Sequence, residues 1–137
     1  MFKKTFEYKD YNGNDRKDTL MFNFTEAELM EMDFEKQGGL INYINRISET
    51  QDGPALAEIF KDILLRAYGA KSDDGKRFIK NAQLKEEFEQ SIPYSMYYTE
   101  LARNSKAAAE FMNEVMPDHL KAKLAEAQKA NHPALNK

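Results

Sequence analysis

An apolar stripe with helical spacing is the strongest structural signal in this sequence. The stripe consists of Leu56, Ile59, Phe60, Ile63, Leu64 and Ala67. This period places the six side chains on one broad face of an α-helix, which must then be buried against other elements. Asp52-Gly53-Pro54 predicts the start of this helix, because proline is well accommodated at the first helical position. Gly69 predicts its end, in a left-handed C-cap conformation.

Weaker periods of the same kind predict further helices on both sides. Thr25 and Glu28 match a capping box, and the short helix after them has Ala27, Met30 and Phe34 on one side. The other stripes are Leu40, Tyr43, Ile44 and Ile47; Leu84 and Phe88; Tyr94, Tyr97, Tyr98 and Leu101; and Ala108, Phe111, Met112 and Val115. Breaks or caps separate these stripes at Gly38-Gly39, Asn81, Pro93, Asn104-Ser105 and Pro117.

Residues 3–24 predict a β-hairpin. Apolar residues alternate with polar ones on both arms, namely Phe6 and Tyr8 on the first and Leu20, Phe22 and Phe24 on the second. Asn12-Gly13 lies between the arms and readily takes the positive φ angles of a tight turn. A lone hairpin is marginally stable in water, so its apolar face should pack on helices.

These elements predict a mainly α fold: a multi-helix single domain with a small N-terminal β-hairpin. The 137-residue chain is 42% apolar and 31% charged, which suits one globular domain. Residues 1–117 form the predicted helical domain, which includes the hairpin 3–24. Residues 118–137 carry few large apolar side chains and are expected to form a peripheral tail.

No residue pattern marks a catalytic, cofactor-binding or metal site. Cysteine is absent, and the two histidines, His119 and His132, lie in the sparse tail. Residues 69–77 only superficially resemble a phosphate loop, because five residues separate the glycines and Arg77 replaces the required hydroxyl. They are interpreted as a charged helix-to-helix connection. The sequence therefore predicts neither an enzyme nor a cofactor.

Binding to other proteins is the remaining class of function. A net charge of −3 disfavours nucleic-acid binding, although Lys71, Lys76, Arg77 and Lys80 form one basic cluster around Phe78. No apolar run has the length of a membrane helix. Tyr94, Tyr97 and Tyr98 form a stripe that suits either the core or a partner-binding surface, because tyrosine combines a large apolar ring with a polar end.

The order of these features resembles a known family, the tail assembly chaperones of long-tailed (siphovirus-type) phages and prophages of Gram-positive bacteria. The resemblance covers about residues 3–117. Its most specific part is a loop motif formed by Tyr68, Gly69, Lys71, Ser72, Asp74, Gly75, Lys76 and Phe78. Pro93 departs from the family pattern, in which a small helix former precedes the tyrosine. The chain resembles the short, non-frameshifted product of the family.

The resemblance implies a protein that binds the tape measure protein and keeps that long helical chain soluble in the host bacterial cytoplasm. A longer frameshifted form is implied to recruit the tail-tube protein, and homo-oligomers are expected. Two alternatives remain open at this point. One is a structural adaptor retained in the virion, and the other is a nucleic-acid-binding regulator.

Deleting residues 118–137 is expected to leave the melting temperature of the protein nearly unchanged. Leu120 and Leu124 are the only large apolar residues there before Leu135, which is too few to offset an ordering cost of roughly 1–2 kcal/mol per residue. Thermal melts of the full and shortened chains test this. A large drop, with loss of helical signal beyond the deleted residues, would show that the two leucines belong to the core.

Overall fold

The computed structural model describes residues 1–117, and the prediction of a peripheral tail at 118–137 lies outside the described residues. The described elements are β1 (Phe2–Lys9), β2 (Asp15–Phe22), α1 (Glu26–Glu35), α2 (Leu40–Glu49), α3 (Gly53–Ala67), β3 (Tyr68–Lys71), β4 (Phe78–Ile79), α4 (Ala82–Glu89), α5 (Ile92–Arg103) and α6 (Ser105–Val115). The predicted mainly α fold with an N-terminal hairpin is confirmed.

The N-terminal hairpin forms as the alternation predicts. β1 and β2 pair antiparallel from Phe2↔Phe22 to Lys9↔Asp15. At the turn, Gly13 has a φ of +84°, a conformation that glycine adopts without strain. The Asp10 carboxylate accepts hydrogen bonds from the backbone N–H groups of Asn12 and Asn14, both at 2.9 Å, and these bonds fix the turn.

A second hairpin extends the sheet where the sequence predicted a helix-to-helix connection. β3 continues directly from α3 and pairs antiparallel with β2, while β4 pairs with β3, so the strand order is β1-β2-β3-β4. The predicted left-handed cap at Gly69 is wrong, because Gly69 lies in β3 and is not among the positive-φ glycines. Phe78 lies in β4 and packs on Gly69.

Helix α1 faces the core with a different side from the one predicted. Leu29 and Met32 are buried, whereas Met30 is 53% and Phe34 is 81% exposed. Both sides of α1 carry apolar residues, so periodicity alone did not distinguish them. The capping box was predicted correctly: the Glu28 N–H donates to Thr25 Oγ1 and the Thr25 N–H donates to Glu28 Oε1.

The predicted starts of α3, α4 and α6 coincide with side-chain caps. The side chains of Asp52, Asn81 and Asn104 accept hydrogen bonds from the first turns of these helices. The cap of α5 is Ser91, two residues before the predicted break at Pro93. The buried stripe of α3 includes Ile59, Ile63, Leu64 and Ala67, as predicted. These helices cover the inner face of the sheet, where Phe22 is completely buried.

Replacing Gly69 with alanine is expected to destabilise the protein by about 1–3 kcal/mol, the usual cost of overpacking. A Cβ atom at Gly69 would lie 2.5 Å from Phe78 Cε2 and 2.7 Å from the Ile79 carbonyl oxygen. Gly53→Ala is the matched control, because no atom lies within 4 Å of its Cβ position. Chemical denaturation tests both, and equal stabilities for the two variants would contradict the close contact between β3 and β4.

Candidate functional site

The loop motif spans the second hairpin. Its residues Ser72, Asp74, Gly75 and Lys76 form the turn between β3 and β4. The Ser72 N–H donates to the Arg77 carbonyl and the Gly75 N–H donates to the Ser72 carbonyl, both at 2.9 Å. Asp74 Oδ1 accepts hydrogen bonds from Ser72 Oγ at 2.7 Å and from the Lys76 N–H at 3.0 Å. Ser72 is the buried polar residue of this turn, while the Lys76 side chain is exposed. The motif therefore encodes a specific turn geometry.

The residues of the basic cluster predicted around Phe78 lie in different environments. Lys71, Lys76 and Arg77 are exposed, whereas Lys80 is half-buried. Lys80 Nζ lies 2.7 Å from a Glu28 carboxylate oxygen and donates to the Asn23 carbonyl at 2.8 Å. It also lies 4.7 Å from the centroid of the Phe24 ring. Burial lowers the pKa of Lys80 below its ordinary value, whereas Glu28 acts in the opposite direction. Lys80 thus joins the end of β4 to α1 and is engaged in a structural ion pair.

The three tyrosines predicted on α5 have different environments. Tyr97 is only 2% exposed, and its ring packs against those of Phe6, Phe22 and Phe111. It is therefore a core residue that a partner cannot reach in this conformation. Tyr94 and Tyr98 are half-buried and stack on each other with ring centroids 5.8 Å apart.

An aromatic series connects the tyrosine pair to the core. Tyr68 of β3 stacks on Phe88 of α4 at 4.3 Å, and Phe88 meets Tyr94 edge-on at 5.4 Å. Burial raises the pKa of Tyr94 and of Tyr68 above the ordinary value. Both phenols therefore stay neutral at physiological pH, and their rings make the contacts that connect β3, α4 and α5.

An apolar groove begins one helical turn beyond Tyr98. It has a volume of about 850 Å³ and lies between α2 and α3 on one side and the α5–α6 junction on the other. Its floor is formed by Ile44, Leu56, Phe60, Leu101, Ala108 and Met112. Two exposed alanines, Ala102 and Ala109, lie along the same wall and keep the groove open because their side chains are small.

The rim of the groove is polar and carries both signs of charge. Glu49 lies at the end of α2 and Arg103 at the end of α5, with Asn45, Ser48, Gln51 and Ser105 between them. An apolar floor with a mixed rim is suited to burying an apolar segment without strong selection by charge. The sequence analysis did not predict this site. The sequence feature that could have indicated the groove is the run of small residues Ala107-Ala108-Ala109, which leaves space beside a helix.

Within residues 1–117 no group of three or more histidine or carboxylate side chains is placed to hold a metal ion. No helix in that part of the chain is long and apolar enough to cross a membrane. The groove between α2/α3 and the α5–α6 junction is therefore the candidate binding site within residues 1–117.

Comparison with known families identifies the chain. A family model described as phage tail assembly chaperone matches residues 1–136. The chain belongs to the phage tail assembly chaperone family. No curated protein and no solved structure matches it significantly. The resemblance deduced from the loop motif is confirmed at the level of the family, and a protein partner in tail assembly follows from membership.

Acid titration of Asp74 tests the turn geometry of this chaperone. The Ser72 hydrogen bond, followed by that from the Lys76 N–H, lowers the pKa of Asp74 below its ordinary value. Stabilisation from this carboxylate is therefore complete above the ordinary Asp range and is lost as pH falls through the lowered value. We expect Ser72→Ala to return the Asp74 pKa towards its ordinary value, measured from carboxyl chemical shifts. Ser95→Ala, an exposed serine on α5, should leave it unchanged.

Proposed function

We propose that this chaperone holds apolar helical segments of the tape measure protein in the groove between α2/α3 and the α5–α6 junction. Family membership supports a role in tail assembly, and the groove is the observation that supports a helical client. By this proposal the protein keeps the client soluble in the host cytoplasm until the tail tube forms around it.

The dimensions of the groove fit a helix of about two turns. Its lining runs from Ile44 to Glu49 on α2 and from Ser105 to Met112 on α6, so the two walls are about 8 Å and about 11 Å long at 1.5 Å per residue. A helix lying there presents apolar residues at i, i+3 or i+4, and i+7 to the floor. Ala102 and Ala109 allow close approach of the client backbone, and the flexible Met112 side chain adapts to different sequences.

The tyrosine pair extends this surface along α5. Tyr94, Tyr98 and Ala102 follow one another at intervals of four residues, so they share one helical face. We propose that Tyr94 and Tyr98 contact the client next to the groove, with their hydroxyl groups facing water. Tyr97, named with them in the sequence analysis, supports this surface from the core.

Weak binding at each site suits a client that must later be released to the tail tube. Many copies bound along one client give a high overall affinity without tight individual sites. Self-association of the chaperone would increase this effect further. Recruitment of tail-tube protein is assigned to a longer frameshifted form, and no step in the proposed role requires catalysis or a cofactor.

Glutamate substitutions at the two groove alanines test the client site. We expect Ala102→Glu and Ala109→Glu each to weaken client binding by about 2 kcal/mol, or roughly 30-fold, because a charge would be placed against the apolar client. Both alanines are exposed, so folding should be retained. The readout is the soluble yield of co-expressed tape measure protein, followed by the affinity of the purified complex.

Ala82→Glu is the matched control, since Ala82 is an equally exposed helical alanine in α4, outside the groove. The Ala82→Glu variant should give the same soluble yield of tape measure protein as the unmodified chain. Equal client yields with all three variants would disprove the groove as the binding site.

Mass spectrometry of purified particles separates a chaperone, which leaves the tail, from an adaptor that is retained.

A further inference from the structure

Helices α1 and α2 form a helical hairpin that is tied together internally. The Asp33 carboxylate of α1 accepts a hydrogen bond from the first backbone N–H of α2 at 2.8 Å. The Arg46 guanidinium of α2 donates to the Gln37 carbonyl in the connection at 2.9 Å. Lys36 Nζ, at the end of α1, lies 4.6 Å from the centroid of the Tyr43 ring of α2. These contacts make the two helices one structural unit, called the α1–α2 unit below.

The α1–α2 unit is packed loosely on the rest of the protein. Within residues 26–49, the buried side chains are those of Leu29, Met32 and Leu40. An open cleft of about 340 Å³ lies between α1 and α4, and a second of about 380 Å³ lies between Tyr43 of α2 and α3. The client groove borders α2 as well. Few buried apolar side chains and open space on several sides are the features of a unit that can change position.

The apolar stripe of α2 is incompletely buried in this arrangement. Ile41, Tyr43, Ile44 and Ile47 are all half-buried. Ile44 lines the groove, so the stripe borders the client site. Movement of α2 towards α5 and α6 would narrow the groove, and closing on an apolar client would bury more of the stripe. The described arrangement thus has the features of an open position.

The connection from α2 to α3 has the properties of a hinge. Gln51 has a φ of +56°, and within residues 1–117 it is the one non-glycine residue with a positive φ. The Gln51 N–H donates to the Ser48 carbonyl and the Asp52 N–H donates to the Ile47 carbonyl, both at 3.1 Å. This is the bonding of a helix end at which glycine is the usual residue. Glutamine holds the conformation under strain, and residues at the ends of elements absorb the backbone changes when whole elements move.

An ion pair holds the C-terminal end of α1 at a distance from the groove. Arg66 Nη1 and Nη2 donate to the two carboxylate oxygens of Glu35 at 2.9 and 2.8 Å, a bidentate geometry. Along α3, Arg66 lies about 9 Å beyond the groove residue Phe60 at 1.5 Å per residue. The N-terminal end of α1 is fixed separately, because Lys80 pairs with Glu28. Breaking the Arg66–Glu35 pair therefore frees the end of α1 to which α2 is attached.

We propose that the α1–α2 unit is a lid that closes over the client groove, and that the Arg66–Glu35 ion pair is the latch that holds the lid open. This inference rests on the proposed client site. Client binding draws α2 towards the α5–α6 junction and breaks the latch, and release of the client restores it. Breaking the ion pair opposes closure and so lowers the affinity of each site, which suits a client that must later be released.

Spin labels measure the lid in the protein without client, and the absence of native cysteine makes the labelling specific. Asn42→Cys on α2 and Asn113→Cys on α6 place the labels at exposed positions, and neither is among the described residues that line the groove. In pulsed electron paramagnetic resonance, adding Glu35→Gln should increase the population at shorter distance at least about threefold. High salt should act in the same direction, because Glu35 is 47% exposed and the pair is open to screening.

Glu89→Gln is the matched control. It breaks the Lys61–Glu89 ion pair between α3 and α4, and Glu89 is 41% exposed. It should leave the distances between the labels on α2 and α6 unchanged. Labels at Ser95→Cys and Asn113→Cys, on α5 and α6, should keep their distance in every variant. Distances from α2 to α6 that respond neither to Glu35→Gln nor to salt would overturn the proposal. A change between α5 and α6 would overturn it too, because it would show loosening of the whole fold.

A synthetic peptide from an apolar helical segment of the tape measure protein separates the lid from the client site. It should shorten the distance between the labels on α2 and α6 of the otherwise unmodified chain, and Glu35→Gln should lower its Kd about threefold. Binding without shortening would overturn the lid and leave the client site intact. Absence of binding would contradict the client site alone, because the response of the free protein to Glu35→Gln is measured without client.

Discussion

The burial of Phe22 is the contact on which the rest of this structure depends. Its ring is fully buried and lies within 6.3 Å, between centroids, of the rings of Phe2, Tyr68, Phe88, Tyr97 and Phe111. These five rings belong to two strands and three helices. Directly after it, the Asn23 N–H donates to the Ala67 carbonyl and the Phe24 N–H donates to the Val115 carbonyl. One short segment thus joins the sheet to the ends of α3 and α6.

The client groove and the core share residues. Leu101, Ala108 and Met112 are buried in the core and also form the floor of the groove. A ligand in the groove would therefore contact side chains that stabilise the fold, and binding would stabilise the folded chain by mass action. If a client binds there as proposed, the chaperone would gain stability while it is loaded and would lose that gain when the client leaves.

The sequence predicted most of the helices because their signals are local. Caps at Thr25, Asp52, Asn81 and Asn104 depend on residues three or four positions apart, and α3 has one clear apolar face. The second hairpin was missed because β3 and β4 are short, and because β3 is held by its pairing with β2, a contact between residues far apart in sequence. The buried face of α1 was missed for a similar reason, since tertiary packing selected Leu29 and Met32 over Met30 and Phe34.

The candidate site could be predicted only in part. Spacing placed Tyr94, Tyr97 and Tyr98 in one stripe, but periodicity could not show that Tyr97 alone is buried in the core. The groove requires four helices to be positioned together, so no single stretch of sequence contains it. The motif at Ser72, Asp74 and Gly75 was found because it specifies one turn through contacts between neighbours.

Strand β1 forms one edge of the sheet, and its composition has a consequence for crowded assemblies. Lys3, Thr5, Glu7 and Lys9 are exposed along this eight-residue edge, next to backbone groups that have no further strand to pair with among residues 1–117. Charged side chains at an edge disfavour the addition of another strand. If copies assemble along one client as proposed, this edge would keep them from joining into a continuous intermolecular sheet, and each copy would remain free to dissociate.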